Sequence, residues 1–373
     1  MRFLFYNSVH ISYSSGPEVW IMEVLPRLVT EGHSVTLLMT RYKQTPLGSE
    51  FKNTLASAGV RVVELPYCRI PLSGSAIPLR IPRVVLEKHD FIYFFNGYAF
   101  QDLIAFCFGK LARASIVYGM HAPASTTYWA HNLYQRVMSR LLIAKAYYVH
   151  VLNSKDLEIY TTINPNTGVV PYGVDHRYFH PRTPVPVTAV PSLVTITYVG
   201  RLDPQKNIPL MLRVMGLILD KYDSVVFNIA GDGEMLTDVL EFVSGHSNCK
   251  YLGRLGKQDI GDLLRSSQAF ITLSRFETFC VAILEAAASG CAVITTPTYG
   301  MATDYDFRFT IVPADSPVRT IVSAIEEVIE LVVKDPRSYI TQVNANSLHA
   351  SLFTWDHVVQ ALVEVCERGF PDY

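Results

Sequence analysis

The chain has 373 residues, a formal net charge of −1 and a pI of about 6.8. That length predicts two domains of ordinary size, each with its own hydrophobic core. The near-neutral charge gives no support to nucleic acid as a partner. The six cysteines are scattered without paired spacing, which argues against a disulfide framework or a zinc site and fits a reducing cytoplasm.

The first half of the chain alternates short apolar runs with amphipathic stretches. Residues 1–12 resemble a first core strand more than a signal peptide, because their apolar part is too short for a leader. Such alternation predicts a parallel α/β architecture. The predicted strands are Arg2–Asn7, Ser34–Met39, Val60–Leu65, Phe91–Phe95, Ser115–Met120 and Tyr147–Leu152, and helices are predicted at Glu18–Glu31 and Leu133–Ala144.

The most apolar stretch of the chain, Phe91–Phe108, is interrupted by Asn96, Gln101 and Asp102. A spanning helix needs ~20 largely apolar residues, so this stretch predicts a buried strand followed by a core helix. The aromatic residues of the first domain also raise the alternative of an acceptor that is linked to a lipid. Peripheral contact with a membrane stays open. The aromatic set is Tyr93, Phe94, Phe95, Tyr98, Phe100, Phe106, Phe108, Tyr128 and Trp129.

A proline-rich stretch at residues 180–193 separates this half from a second cycle of strands and helices. The second cycle predicts strands at Val194–Val199, Val225–Ala230, Cys249–Leu252, Ala269–Leu273, Ala292–Thr295 and Thr310–Val312, then a last helix at Trp355–Arg368 capped by Thr354. The predicted organisation is a first domain at 1–180, a linker at 181–193, a second domain at 194–352 and a C-terminal helix at 353–373. In open α/β sheets, ligands bind beyond the carboxyl ends of the strands.

One loop of the second domain carries residues suited to a diphosphate, and two further loops could approach a ligand with their backbone. Arg201 and Lys206 follow its first predicted strand, and a guanidinium fork with a mobile ammonium suits phosphate oxygens. The alternative is a pair of solvated loop cations. Gly231 and Gly233 follow the next strand, where glycines let the backbone approach a ligand or make a tight turn. Leu252 ends the third strand, and the backbone there could contact a base.

The segment 274–291, SRFETFCVAILEAAASGC, contains Glu277 and Glu285 eight positions apart. Its alanines and Gly290 predict a helix that begins near Thr278 and ends at Gly290. Eight residues of helix span about 12 Å, roughly the reach of a ligand with a phosphate at the helix mouth. The amides of Thr278, Phe279 and Cys280 would then face an anion. The alternative is a buried amphipathic helix with one exposed and one paired glutamate.

Four stretches of the second domain, taken in order, resemble the donor domain of retaining glycosyltransferases of family 4. They are GRLDPQKN, AGDGE, YLGRL and SRFETFCVAILEAAASGC. The resemblance continues on both sides of these stretches. The end of the first domain in that family resembles NSKDLEIY and VVPYGVDHRYFHP here, and its final helix resembles FTWDHVVQALVEVCE. The resemblance is strong over about 150–370 and weaker before it. It implies the GT-B fold, with two Rossmann-like doubly wound domains facing a central cleft and a C-terminal helix that packs back on the first domain.

The resemblance also implies roles for single residues. Arg201 and Lys206 would neutralise the leaving diphosphate, Glu285 would hold the ribose hydroxyls and Glu277 would face the donor sugar. His121, in YGMHAP, matches a histidine near the transferred sugar, although it could equally be structural. Set beside Gly231, Gly233, Leu252 and the 278–280 amides, these residues form the expected donor site.

Two departures from the family pattern stand out. The first loop has the single glycine Gly16 followed by Pro17, where two adjacent glycines are common near a phosphate, and proline has no amide to donate. Cys280 replaces a common glycine close to the expected sugar position. These changes leave the identity of the substrate undecided. They also leave open the alternative of a non-catalytic nucleotide- or sugar-binding protein.

The expected function is a retaining, metal-independent hexosyltransferase that moves a sugar from a UDP-, GDP- or ADP-linked donor to a hydroxyl of a sugar or lipid-linked acceptor. A GT-B phosphorylase is the other alternative. No cofactor and no metal site are expected, because two cations can stabilise the leaving group; the Asp304-Tyr305-Asp306 triplet lies away from the donor strands. The expected location is cytoplasmic, with peripheral contact to the inner face of a membrane left open.

Overall fold

A computed structural model describes residues 1–7, 16–40, 46–69, 76–95, 101–121, 137, 140–182, 192–297, 300, 304–313 and 315–367. The chain divides into two compact units. One comprises Met1–Tyr172 together with Trp355–Tyr373, and the other comprises Gly173–Thr354. Residues 173–180 therefore belong to the second unit, although the predicted boundary lies at 180. The Val174 amide bonds to the Phe353 carbonyl at 3.0 Å, which ties this segment to the second unit.

The first unit is built on a parallel sheet of seven strands in the order β3-β2-β1-β6-β7-β8-β9. Its central strands carry continuous apolar runs, as expected for a sheet with both faces covered. A two-stranded antiparallel hairpin, β4–β5, lies outside this sheet. The strands are β1 Arg2–Asn7, β2 Ser34–Thr40, β3 Arg61–Leu65, β4 Tyr67–Arg69, β5 Ala76–Pro78, β6 Phe91–Phe95, β7 Ser115–Gly119, β8 Tyr148–Val151 and β9 Thr167–Val169.

Helices connect the parallel strands of the first unit. They are α1 Gly16–Thr30, α2 Pro46–Ser57, α3 Gln101–Ala112, α4 Arg140–Ile143 and α5 Ser154–Thr161, with a 3₁₀ helix at Arg83–Leu86. The predicted helix at 133–144 is described only at its end, and the rest lies outside the described residues. The hairpin and α2 were not predicted, because short strands and a weakly apolar helix give little periodic signal.

The second unit is built on a parallel sheet of six strands in the order β12-β11-β10-β13-β14-β15. The order reverses between β10 and β13, which creates the switch point where such sheets bind ligands. Its strands are β10 Val194–Val199, β11 Val225–Ala230, β12 Cys249–Tyr251, β13 Ala269–Thr272, β14 Ala292–Thr295 and β15 Thr310–Ile311. Its helices are α6 Ile208–Leu219, α7 Leu236–Gly245, α8 Lys257–Ser266, α9 Val281–Ala288, α10 Val318–Lys334 and α11 Pro336–Ala350.

The α/β class and the two doubly wound parallel sheets expected from the sequence are confirmed. The last helix, α12 Trp355–Glu367, belongs to the first unit. The aromatic residues 93–95, 106 and 108 are buried, so they are core rather than a lipid-binding surface, whereas 98, 100, 128 and 129 lie outside the described residues. Within the described part of the chain, no helix combines the length and apolarity needed to cross a membrane.

Trp355 anchors α12 in the first unit. It is 3% exposed, and its ring lies 5.8 Å from that of Tyr172. Replacement by alanine is expected to lower the free energy of unfolding by about 3 to 5 kcal/mol, because a large buried ring leaves a cavity. Urea denaturation of Trp355→Ala beside Gln360→Ala, an exposed position of the same helix, measures this difference. Equal stabilities of the two variants would show that α12 contributes little to this unit.

Candidate functional site

The loop that follows β10 is shaped by an aspartate. The Asp203 carboxylate accepts a hydrogen bond from the Lys206 amide at 3.0 Å and caps a 3₁₀ helix at Pro204–Lys206, whose proline needs no amide partner. The other oxygen of Asp203 pairs with the Arg201 guanidinium at 2.6 Å. These contacts hold both predicted diphosphate-binding cations in one short loop.

Gln205 connects this loop to the segment that follows β13. Its side-chain oxygen accepts from Arg201 at 3.0 Å, its side-chain amide donates to the Phe276 carbonyl at 3.1 Å, and its backbone carbonyl accepts from the Arg275 amide at 2.9 Å. Because β10 and β13 are neighbours, both loops leave the same edge of the sheet. Gln205 was not predicted as a site residue, since nothing in one sequence distinguishes it from a solvated loop residue.

The Lys206 ammonium forms an ion pair with the Glu277 carboxylate across these two loops. The side chains are only 14% and 9% exposed. Burial lowers the pKa of Lys206, but the neighbouring Cys280 and Glu277 raise it more, so the pKa lies above its usual value. Lys206 is therefore a fixed cation in a site that excludes most water, where charge acts more strongly than at the surface.

The helix after this pair begins later than predicted. It starts at Val281 rather than near Thr278, and Cys280 precedes it in a left-handed conformation with φ 64°. The predicted amides of Thr278, Phe279 and Cys280 therefore lie before the helix and not in its first turn. Among the described residues, the first-turn amides with no carbonyl partner are those of Val281 and Ala282.

Gly300 explains part of this shape. A side chain at that position would contact the Thr278 carbonyl and the Phe279 Cα at 2.9 Å, so only glycine permits the approach. The helix alanines favour an earlier start, but the left-handed Cys280 overrides that propensity. Burial raises the pKa of the Cys280 thiol to about 12, so at neutral pH it is an uncharged group beside the ion pair.

Glu285 lies in α9, on the same helix that begins beside the ion pair. Because that helix starts at Val281, Glu285 lies one turn inside it rather than two. Glu277 lies in the preceding loop, so the helical distance of about 12 Å predicted between the two glutamates does not apply. Glu285 is partly buried.

The two glycines after β11 shape the neighbouring part of the site. Both have positive φ, 147° at Gly231 and 159° at Gly233. A Cβ at Gly231 would overlap the Gly200 carbonyl oxygen, and a Cβ at Gly233 would overlap that of Leu202. The backbone of this loop therefore packs directly on the loop that carries Arg201 and Lys206.

The loop after β12 reaches the same edge. The Gly231 amide donates to the Gly253 carbonyl at 2.8 Å, which fixes the loops after β11 and β12 to each other. Leu252 is 37% exposed at this position. The carboxyl ends of β10, β11, β12 and β13 thus bring together the predicted donor-site residues of the second unit.

Two predicted site residues lie in the first unit. Gly16 is the first residue of α1, and a Cβ there would lie 3.1 Å from the Tyr172 ring, so its small size is needed for packing. His121 is 4% exposed. Its Nε2 lies 2.7 Å from the Tyr93 hydroxyl and its Nδ1 lies 2.8 Å from the Tyr172 hydroxyl. Both ring nitrogens of His121 are therefore already engaged by tyrosines.

These contacts belong to a buried chain of hydrogen bonds that ends at a backbone carbonyl. His150 Nε2 donates to the Val170 carbonyl at 2.7 Å, so its Nδ1 accepts from the Tyr93 hydroxyl. The Tyr93 oxygen then accepts from His121 Nε2, and His121 Nδ1 accepts from Tyr172. Burial lowers the pKa of both histidines, that of His150 to about 4, so both are neutral at pH 7.

The pH dependence of stability follows from His150. Its pKa is about 4 in the folded state and about 6.5 when unfolded, so below pH 6.5 only the unfolded chain gains this proton. We therefore expect stability to fall as pH falls from 6.5 to 4, by roughly 2 kcal/mol at pH 5 from this residue. Urea denaturation across this range should show a steeper fall for the wild type than for His150→Gln. Parallel curves would contradict the assignment.

No metal-binding group of three or more histidine, cysteine or acidic side chains occurs among the residues that the structure describes. Asp304 and Asp306 are described, and the Asp304 amide bonds to the Gly300 carbonyl at 2.9 Å.

The chain is similar to known glycosyltransferases in sequence and in fold. Residues 194–330 match the family model described as glycosyl transferases group 1. The phosphatidylinositol N-acetylglucosaminyltransferase GPI3 subunit of Saccharomyces cerevisiae is 22% identical over 94% of this chain and 79% of its own length. A human phosphatidylinositol N-acetylglucosaminyltransferase subunit is 23% identical over 95% of this chain and 73% of its own length.

A solved structure has a similar fold over almost the whole chain. Anabaena Alr3699/HepE in complex with UDP aligns with a TM-score of 0.76 and 17% identity, covering 99% of this chain and 100% of its own. At this identity the likeness concerns the fold, which is the GT-B architecture inferred from the sequence. The family match over residues 194–330 and the relatives that align along most of the chain support a glycosyltransferase whose second sheet resembles the group 1 family.

Proposed function

We propose that the chain transfers a sugar from a UDP-linked donor to a hydroxyl of a lipid-linked acceptor, with retention at the anomeric carbon and without a metal ion. The observation that carries this proposal is the buried Lys206–Glu277 ion pair beside Arg201, at the carboxyl ends of β10 and β13. Breaking a glycosyl–phosphate bond places negative charge on the leaving diphosphate. Lys206 and Arg201 are cations that neighbouring carboxylates hold in place, and such cations are suited to stabilise that charge.

In this mechanism Lys206 contacts the diphosphate as the bond breaks, and Arg201 binds its outer oxygens. The Arg201 side chain is 40% exposed, so it is accessible to a ligand while Asp203 and Gln205 orient it. The first-turn amides of α9 add partial positive charge at the same end of the sheet. Because these groups supply the positive charge, the proposed reaction needs no metal.

The two glutamates have different proposed roles. Glu277, held by Lys206, faces the donor sugar and orients its hydroxyls, whereas Glu285 contacts the ribose. Neither is proposed as a nucleophile. His121 is proposed as a positioning residue, since tyrosines engage both of its ring nitrogens and its low pKa keeps it uncharged.

The choice of UDP and of a lipid-linked acceptor rests on the relatives. The Anabaena structure contains UDP, and the yeast and human relatives are named for N-acetylglucosaminyl transfer to phosphatidylinositol. We therefore propose UDP-N-acetylglucosamine as the first donor to test and phosphatidylinositol as the first acceptor. The proposed site of action is the cytoplasmic face of a membrane.

Donor consumption tests this proposal. The purified chain is incubated in EDTA with UDP-N-acetylglucosamine, UDP-glucose or GDP-mannose, with and without phosphatidylinositol, and nucleotide release is measured. One UDP-sugar should be consumed faster when the acceptor is present, and NMR of the product should show the anomeric configuration of the donor. Release that requires added Mg²⁺ or Mn²⁺, or an inverted product, would contradict the proposed mechanism.

A further inference from the structure

The first unit exposes a group of large apolar side chains in two short segments. Six of the eighteen exposed large apolar side chains among the described residues lie between positions 77 and 111. They are Ile77, Leu79, Ile81, Leu86, Leu103 and Leu111, with exposures between 37% and 65%. Leucines scattered singly need no explanation, but a contiguous set indicates a surface that binds something.

The fold brings the two segments together. Helix α3 packs against both β5 and the 3₁₀ helix at Arg83–Leu86. Its inner residues Ala105, Phe108 and Ala112 are in the core with Val84 and Val85. Leu103, Cys107, Lys110 and Leu111 are exposed, and their spacing of four, seven and eight residues places them on one outward face of α3.

The same segments are rich in cations. Arg80, Arg83, Lys88, Lys110 and Arg113 are exposed, and none forms an ion pair with another described residue. The carboxylates of these segments are already engaged or buried. Glu87 pairs with Arg61 at 2.6 Å, Asp90 pairs with Arg2 at 3.0 Å, and Asp102 is 1% exposed.

A surface cavity of about 640 Å³ joins the apolar and cationic residues. Leu86 and Leu111 line it together with Lys88 and Arg113. Glu87 and Asp90 also line the cavity, but each is paired with an arginine, whereas Lys88 and Arg113 form no ion pair with a described residue. Apolar groups beside such cations match the chemistry at the boundary of a phospholipid layer, where acyl chains meet anionic phosphates.

We propose that this surface, defined by the six apolar side chains and five cations named above and called the 77–113 surface, docks the first unit on an anionic phospholipid bilayer. The charge excess favours an anionic partner, and leucines among cations favour an interfacial one. Leucines would enter the headgroup layer, and the cations would bind lipid phosphates around them. The inference rests on the proposed site of action at a membrane and deepens it, but it does not depend on the donor-site residues, which lie in the second unit.

Vesicle flotation tests this inference with the full chain. Vesicles are made of phosphatidylcholine alone or of phosphatidylcholine mixed with phosphatidylserine. The wild type should float with the mixed vesicles and bind less to neutral ones. Near an anionic surface each cation contributes roughly fivefold to binding, so Lys88→Glu/Arg113→Glu should lose at least about 25-fold. Leu86→Asp/Leu111→Asp should lose binding to a similar extent.

Matched controls lie in the second unit. Arg319→Glu changes an exposed cation of α10, and Leu348→Asp changes a 74% exposed leucine of α11. Both should bind vesicles as the wild type does. All variants should keep wild-type hydrolysis of a water-soluble donor and wild-type melting, which separates failure of docking from failure of the catalytic proposal or of folding.

Three outcomes would overturn the inference. One is a wild-type chain that binds no vesicle, and another is equal loss in the controls and the surface variants. The third is size-exclusion chromatography that shows a dimer which Leu86→Asp/Leu111→Asp dissociates, since the surface would then belong to a second copy of the chain.

Discussion

Lys206→Ala is expected to lower kcat for donor turnover by about 100- to 1,000-fold, the cost of removing one fixed group that stabilises developing negative charge. Arg201 remains in this variant, so some turnover should persist. KM should change less than kcat, because charge on the diphosphate grows in the transition state. Steady-state kinetics of nucleotide release measure both. Unchanged turnover would remove Lys206 from the mechanism.

The same substitution should also destabilise the second unit. Glu277 is 9% exposed and would lose its counter-charge, which costs about 3 to 5 kcal/mol in buried pairs. Lys206→Met/Glu277→Leu should recover most of this stability but not the activity. This double variant therefore separates loss of charge from loss of fold. Recovery of turnover together with stability would contradict the catalytic role.

An exposed ion pair supplies the control. Lys334 and Glu330 lie 2.9 Å apart with side chains 69% and 54% exposed. Exposed pairs contribute at most about 1 kcal/mol, so Lys334→Ala should have little effect on stability and none on turnover. The difference in stability and turnover between Lys334→Ala and Lys206→Ala measures how much burial increases the contribution of an ion pair.

Gly231→Ala is expected to lower the free energy of unfolding by about 3 kcal/mol or more. Its φ of 147° is unfavourable for alanine, and the new Cβ would overlap the Gly200 carbonyl. The backbone cannot easily move aside. The Gly231 amide is bonded to Gly253 at 2.8 Å, and the Gly200 amide is bonded to Ala230 at 3.1 Å. Donor turnover should fall as well, because the Arg201 loop would be displaced.

Gly245→Ala is the matched control for this substitution. Gly245 ends α7, and no atom of the described residues lies within 4 Å of a Cβ at that position. Alanine there should be neutral or stabilise the protein by up to about 1 kcal/mol. Thermal unfolding of both variants gives the comparison. Equal melting temperatures would show that the backbone contact at Gly231 is relaxed in solution.

The sheets were predictable because their strands appear in the sequence as short, largely apolar runs rich in β-branched and aromatic residues. Val194–Val199 and Phe91–Phe95 each coincide with an observed strand. The hairpin of β4 and β5 was not predicted, since its three-residue strands are too short to show a period. Local sequence therefore indicated the architecture but not the additions at its edges.

The candidate site was predictable where residue type alone carries the chemistry. Arg201 and Lys206 were predicted in the loop after a strand and Glu277 in the loop before a helix, with roles implied by the family resemblance, and the structure brings the three into one pair of loops. The late start of α9 was not predictable, because a single sequence shows neither the left-handed conformation of Cys280 nor the close approach of Gly300 to Thr278 and Phe279.

The contacts of His121 also required the fold. His121 follows β7, while Tyr93 and His150 lie in the strands on either side of it, and Tyr172 comes much later in the chain. A single sequence shows a histidine at a strand end but not what engages its nitrogens. The fold shows that tyrosines engage both ring nitrogens of His121, and the proposed positioning role is based on those contacts.

Calorimetric titration with UDP in the presence of EDTA tests the central role of the Lys206–Glu277 pair most directly. The wild type should bind UDP, and GDP and ADP provide the comparison for the base. Lys206→Met/Glu277→Leu should lose at least about tenfold in affinity, or 1.4 kcal/mol, because a diphosphate loses a buried cation. Arg319→Glu should bind as the wild type does. Equal affinity in the wild type and the double variant would contradict a diphosphate site at this pair.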